Sequence, residues 1–388
     1  MVTPLCAHGA GPQQLATQLG LNAVFACRLL RALRTTDPIG VVHRLPGPDP
    51  LRRLLTAVAR TGADPGAIKR ARHAVDDFET LIQKDIGDRS ALDAIVSAWI
   101  PEASQEFQLR RRQSVYRALS QLRGVACGVI CATAFLAPDE HATGRRLAWI
   151  NGLLGVQRVR PNANLSFAAH RLGGFGPDPT PEATPTHPCA PAPRFVPELS
   201  SCPGSALHAR AVEDATIFSL TGATYSPRST ADVVLVAADS NGAHHARSPA
   251  PGDRMFVYAG VVMPARLIQF DVFVHRDLGS DAPPRVDLYD TAIEGVADVN
   301  DPARSIDRLS AFEPVQSLGC GRASARSPDV PRYAQALKHV ADLTGWDDRE
   351  FRVFRYRSQY PLHGSQVVLS WPPSLSGRTP LTGDAQSS

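Results

Sequence analysis

The sequence predicts an α+β fold, in which a helical N-terminal part precedes a mixed α/β region with mainly antiparallel strands. Three observations carry this. From Pro12 to about Leu122, apolar residues recur at three- and four-residue spacing, the period of a helix face. From Val125 onward the pattern changes to short alternating or continuous apolar runs bounded by Gly, Pro and Asn. Between Gly173 and Gly204, nine of 32 residues are Pro, so the strand-rich region is divided in two.

Taken in order, 13–19 and 22–33 read as two short helices, and 39–43 as one strand. The run Leu45-Pro46-Gly47-Pro48-Asp49-Pro50 breaks the backbone, because Pro lacks an amide donor and Gly permits positive φ. Helices are then predicted over 51–61, 65–86 and 90–122. Ser90 and Asp93 form a capping-box-like start to the last, Leu92, Ile95, Val96 and Trp99 share its apolar face, and Pro101 interrupts it. Strands follow at 125–136, 146–154 and 165–169. After the Pro-rich run come strands at 231–238, 255–262, 266–274 and 285–289, a helix at 333–343 and closing strands at 351–356 and 366–371. The polar tail 374–388 is predicted to be disordered.

Composition narrows the function classes. A 43% hydrophobic and 20% charged chain suits a soluble globular protein and argues against general disorder. No window reaches the roughly 18 apolar residues of a membrane span, and the first thirty positions lack a secretory pattern, so a cytoplasmic protein without membrane partners is expected. Seven Cys, no two separated by two residues, imply neither a disulfide framework nor a zinc ribbon. Of 41 basic residues only three are Lys, a bias of composition more than of function.

The net charge of +4 is unevenly spread: +4 over 1–53, −3 over 54–109, +8 over 110–171 and −5 over 172–388. All six Arg of the first block lie between Arg28 and Arg53. There the strongest local pattern runs from Gln13 to Leu33. Leu15, Leu19, Leu21, Ala26 and Leu29 supply a shared core, Ala16 a close-approach position, Gly20 a turn and Asn22 an N-cap. This pattern resembles the helix-turn-helix of bacterial transcriptional regulators, including winged-helix versions, and covers about a tenth of the chain.

The resemblance implies that residues 1–53 bind double-stranded DNA, with 54–123 as a helical connector. It implies an effector region in two parts, 124–172 and 205–373, joined by the Pro-rich linker 173–204. Asn22, Ala23, Val24, Cys27, Arg28, Arg31 and Arg34 would face outward, Arg28 toward a guanine edge and Arg31 and Arg34 toward phosphates. The outward face is unusually apolar, at Ala23, Val24 and Cys27. The strand at 39–43 would be a vestigial wing, and a true start codon upstream of Met1 would account for a missing supporting helix. The function expected is transcriptional control by a homo-oligomer. The alternative is a non-catalytic scaffold or protein-interaction protein whose N-terminal helical pair only dimerises.

The second basic block carries Arg110, Arg111, Arg112, Arg117 and Arg123 on a helix, with Arg145, Arg146, Arg158, Arg160 and Arg171 beside strands. A solvated face, a second phosphate contact or a pocket for an anionic small-molecule effector would each account for it. No catalytic residue, metal site or cofactor is predicted. The chain lacks a nucleophile elbow and a phosphate-binding loop, and the adjacent His244 and His245 would point to opposite sides of a strand.

Overall fold

A computed structural model describes residues 11–97, 99–138, 145–161, 163–170, 193–212, 215–221, 230–238, 245–246, 252–278, 282–311 and 313–372. The chain divides into two compact units, Met1–Arg111 and Arg112–Ser388. Helices come first and a strand-rich, mostly antiparallel region follows, so the fold is α+β as expected.

In the first unit the helices are α1 (Pro12–Leu19), α2 (Ala23–Leu33), α3 (Pro38–Arg44), α4 (Pro48–Arg60), α5 (Pro65–Thr80) and α6 (Arg89–Ser97). A π-helical turn, Leu81–Ile86, extends α5, and α7 (Pro101–Arg123) begins here. Pro stands in the first turn of α1, α3, α4 and α5, where a missing amide hydrogen loses nothing. The Pro-rich break therefore also starts α4. As expected, Pro101 separates two helices. The cap of α6 differs from expectation: Asp88, not Ser90, accepts from the Ala91 amide at 2.7 Å.

The segment expected as a strand and vestigial wing, 39–43, is helix α3. Asp37 caps it by accepting from the Gly40 amide at 2.6 Å, and Pro38 sets its first turn. Helix α3 packs closely at Gly40, where a Cβ would meet Thr35 Cγ2 at 2.8 Å. Side-chain capping thus overrides the β-branched run Ile39, Val41, Val42.

One core joins Leu15, Leu19, Ala26 and Leu29 of the first helices to Leu51, Leu54, Leu55 and Val58 of α4 and to Ile68 and Val75 of α5. Helices α4–α6, expected as a connector after residue 53, lie in the compact unit Met1–Arg111. On α6, Leu92 and Val96 are buried, but Ile95 and the following Trp99 are 52% and 72% exposed.

The strands of the second unit are β1 (Val125–Pro138), β2 (Arg145–Arg158), β3 (Leu165–His170), β4 (Arg194–Phe195), β5 (Leu207–Val212), β6 (Ala215–Leu220), β7 (Thr230–Ala237), β8 (His245–Ala246) and β9 (Met255–Gly260). Then come β10 (Ala265–His275), β11 (Arg285–Asp290), β12 (Arg308–Leu309), β13 (Gln316–Cys320), helix α8 (Tyr333–Thr344), β14 (Phe351–Gln359) and β15 (Ser365–Trp371). The central sheet has the order β13-β14-β10-β1-β2-β7-β4, with β8 also on β2. Its β1 and β10 run parallel, in register Ala132 to Phe270, and its other described pairs are antiparallel. Two smaller sheets have the orders β12-β11-β15-β9 and β3-β6-β5.

Both faces of the central sheet are covered, which explains why β1 and β10 read as nearly continuous apolar runs. Against one face lie Tyr333, Ala336, Leu337 and Val340 of α8, packed on Cys131, Phe135, Phe273 and Phe351. The other face presents Ile130, Trp149, Phe270 and Tyr356 to Val257, Leu369 and Trp371 and to Phe167 and Phe218 of the smaller sheets. Each such large side chain contributes about 1.5–3 kcal/mol of burial free energy.

Part of the expected linker 173–204 is folded. Within its described part, Val196, Leu199 and Cys202 are buried, and β4 pairs with β7. Three apolar residues among the prolines suffice to anchor residues 194–204. Residues 171–192 and the tail from 373 lie outside the described residues, as does His244.

Candidate nucleic-acid interface

The α1–α2 pair is built as the residue pattern anticipated. Gly20 adopts the left-handed conformation (φ 61°), strained for other residues, and the Leu21 amide closes the turn on the Ala16 carbonyl at 2.8 Å. Leu15, Ala16, Leu19, Ala26 and Leu29 are buried, and Leu21 packs half-buried against them. Asn22 Oδ1 accepts from the Val24 amide at 2.7 Å and caps α2.

The residues proposed to face a ligand divide into three sets. Ala23 and Val24 stand in the first turn of α2 and are exposed, Val24 at 77%. Arg31 and Arg34 are exposed toward the end of the same helix, whereas Cys27 is half-buried. Arg28 is engaged elsewhere. Its Nε donates to the Arg44 carbonyl at 3.0 Å, and its Nη2 to the His43 and Leu45 carbonyls at 3.4 Å each.

Those acceptors are carbonyls at the C-terminal end of α3, the negative pole of the helix. Arg89 reaches the same turn: its Nη2 donates to the Val42 and His43 carbonyls at 3.3 Å, while its Nε holds Asp93 at 3.0 Å. Burial and then the like charge of Arg89 hold the Arg28 guanidinium below its usual pKa. Burial also lowers the pKa of His43, against the raising effect of Glu106. Arg28, itself exposed, is therefore a clamp between α2 and α3. No sequence signal distinguished the two roles, because the carbonyls it binds lie about 16 residues away.

Several arginines of the second basic block have partners within the protein, while Arg110, Arg111, Arg117 and Arg123 stay exposed. Arg112 pairs with Glu313 at 2.8 Å and donates to Ser358 at 2.8 Å. Arg158 and Arg160 each donate at 3.0 Å, to the Leu220 and Leu122 carbonyls respectively. Arg146 lies over the Trp346 ring at 5.2 Å and Arg111 over Phe107 at 5.1 Å. Arg110 pairs with Glu106, and Arg123 contacts His363. The Arg145 side chain and Arg171 lie outside the described residues. Among those described, these arginines do not converge on an anion pocket.

A polar cluster that the sequence did not reveal sits beneath α8. Asp271, fully buried, accepts from Arg355 Nε at 2.8 Å and Nη2 at 2.7 Å, and from the Tyr333 hydroxyl at 2.6 Å. Thr133 bonds the same hydroxyl at 2.9 Å, and Arg355 also donates to the Ala325 and Arg326 carbonyls. Gln269 donates to Asp271 and accepts from Ser327. Each charge has a bonded partner, so the cluster is a structural tie between β10, β14 and α8. Cys131 beside it is no nucleophile, since burial pushes its thiol up to about 12. A lone Asp within an apolar strand was the available signal.

Cavities flank the central sheet among the described residues. One of about 70 Å³ is lined by Trp149, Asn151, Phe167 and Tyr258, and one of about 50 Å³ by Cys131, Asp232, Arg332 and Tyr333. Both have room for a few waters. His275 pairs with Glu350 at 3.0 Å, and no three His, Cys, Asp or Glu side chains converge as a metal site among the described residues. Nor, among those residues, is any helix long and apolar enough to cross a membrane.

No protein-family model matches the sequence, and no curated protein matches it. Among solved structures, one of a candidate protease from Parabacteroides distasonis aligns over 65% of this chain and 41% of that chain, at 6% identity and a TM-score of 0.27. Likeness at that level bears on neither fold nor chemistry.

Proposed function

We propose that the first unit binds double-stranded DNA and that the protein is a transcriptional regulator, its second unit serving as a sensor or oligomerisation region. The observation that supports this is the α1–α2 pair: a Gly20 turn, an Asn22 cap and a shared core leave Ala23, Val24, Arg31 and Arg34 on the exposed side of α2. A helix held this way can enter a major groove with its first turn toward base edges and its later arginines toward phosphates. A homodimer would place two such helices on successive grooves. This role belongs in the cytoplasm, with the chromosome.

The test is fluorescence anisotropy of the full chain with duplexes from upstream of its own gene, across a salt series. Binding should weaken linearly in log–log form, and Arg31→Ala and Arg34→Ala should each lower the slope by about 1. Absence of binding to any such duplex at low salt overturns the proposal.

A second reading, an interaction module that contacts protein instead of DNA, draws on the exposed Ile95 and Trp99. It predicts self-association abolished by Trp99→Ser and no salt-dependent DNA binding.

A further inference from the structure

Four segments of the second unit meet where α7 ends, and none of them carries an acid. The Val159 amide donates to the Gly124 carbonyl at 2.7 Å, the Cys127 amide to Pro264 at 2.8 Å, the Tyr360 amide to Arg266 at 2.8 Å and the Gly364 amide to Val261 at 3.1 Å. These bonds gather 113–127, 157–165, 260–266 and 359–365, which hold Arg117, Arg123, Arg158, Arg160, Arg266 and His363 but no Asp or Glu. Across the whole chain acidic residues are nearly as numerous as basic ones, 37 against 41, so the exclusion is local.

Three of these arginines are fixed without being neutralised. Arg266 Nε donates to the Tyr116 hydroxyl at 3.3 Å, Arg160 Nη2 to the Leu122 carbonyl at 3.0 Å, and Arg123 Nη1 to His363 Nε2. Burial and then Arg123 hold the His363 pKa below its usual 6.5, which keeps the ring neutral as an acceptor. All three arginines are exposed, and each guanidinium keeps N–H donors beyond the one that anchors it. Arg112 and Arg110, by contrast, meet Glu313 and Glu106. The Tyr116 and Tyr360 rings, 5.4 Å apart, brace the face from below.

Tyr116, which anchors Arg266, and Arg123 stand two turns apart on α7, a distance of about 10 Å, and Arg160 joins them at Leu122. One strand of a duplex presents a phosphate about every 3.4 Å of its axis, so a line of cations this long matches a short run of them. We propose that this open face is a nucleic-acid contact of the second unit, holding backbone phosphates without regard to sequence. It is separate from the contact proposed for α2 and persists without it.

The test uses full-length protein and a labelled duplex of arbitrary sequence across a salt series, in the parent and in an Arg31→Ala/Arg34→Ala background. Arg123→Gln, Arg160→Gln and Arg266→Gln should each lower the slope of log affinity against log salt by about 1, and together by about 3. The matching Lys replacements keep the charge and should keep the slope. The His363 ring signals in NMR should shift on addition of duplex, which places the contact beside Arg123.

An unchanged slope in the triple Gln variant would overturn the proposal. So would loss of the slope in the Lys variants, which would mark the three arginines as structural ties. Equal or tighter binding of poly-glutamate of matched charge would assign the face to an acidic protein instead. Loss of all duplex binding in Arg31→Ala/Arg34→Ala would overturn this contact and spare the α2 reading, whereas binding unaffected by that pair and lost only in the triple Gln variant would do the reverse.

Discussion

Replacing Asp271 by Asn tests whether the buried cluster under α8 is a structural tie. Asp271 is fully buried and the Arg355 side chain only 7% exposed, so neither charge has water to fall back on. The substitution keeps the shape but removes the negative charge. Arg355 then keeps the Ala325 and Arg326 carbonyls and one neutral amide oxygen but no counter-charge, and breaking such a pair costs about 3–5 kcal/mol. Tyr333→Phe removes a hydroxyl bonded to both Asp271 and Thr133, which costs about 1–3 kcal/mol.

Since the hydroxyl shares its acceptor with Arg355, the two effects should not add. Tyr333→Phe in an Asp271→Asn background should cost about 1–2 kcal/mol less than in the parent. The paired replacement Asp271→Leu with Arg355→Met should be less damaging than Asp271→Asn alone, because no uncompensated charge remains. The assay is urea unfolding followed by tryptophan emission. Three of the four tryptophans, Trp149, Trp346 and Trp371, lie in the second unit and so report its transition. A destabilisation below about 1 kcal/mol for Asp271→Asn, or strict additivity with Tyr333→Phe, would refute the argument.

Further outcomes are expected. Arg28→Ala should raise amide hydrogen exchange across α3 and lower stability by about 1–2 kcal/mol, a value reduced for partial exposure. His43, close to Arg28, Arg44, Asp93 and Glu106, has a pKa lowered by burial from its usual 6.5. The unfolded chain then binds the proton more readily, so this contribution to stability is present above about pH 6.5 and is lost as pH falls through the lowered value. Thermal scans should show that loss, and His43→Gln should flatten it.

Glu313 is raised by desolvation but lowered further by Arg112 and Ser358, with a net fall from the usual 4.5. Its stabilisation of the second unit should therefore be present above about pH 4.5 and fade below it, and Glu313→Gln should remove that dependence in acid titrations. Iodoacetamide mapped by mass spectrometry should label the exposed Cys320 well before Cys127 and Cys131, whose thiols burial pushes up to about 12.

What could be read in the sequence follows the range of the interactions. The Gly20 turn, the Asn22 cap and the period-two strands depend on neighbours within a few residues, and they fall where the residue pattern places them. The strand expected at 39–43 failed because the β-branched run was weighed and Asp37-Pro38, the stronger helix-start signal, was not. Residues 194–204 were read as linker because composition averages over Val196, Leu199 and Cys202, which bury individually. Arg28 illustrates the same limit inside the candidate site. Its outward position was predictable, but its partners come from a helix that had been read as a strand.

The charge distribution shows why long-range electrostatics resists this kind of reading. The +8 of residues 110–171 and the −5 of residues 172–388 look like separate surfaces when counted along the chain. In the fold the two counts are not independent: Arg112 finds Glu313 across 201 residues. A basic block can be taken as a ligand-binding surface only after such internal partners are subtracted, and here Arg110, Arg111, Arg117 and Arg123 stay exposed. The first block differs. Arg28 is consumed by α3 and Arg52 by Asp76 and Glu79, but Arg31 and Arg34 stay exposed on the helix that also carries Ala23 and Val24. What sets the smaller block apart is that its exposed Arg31 and Arg34 share a helix with the exposed Ala23 and Val24, and the DNA contact we propose for α2 would lie there.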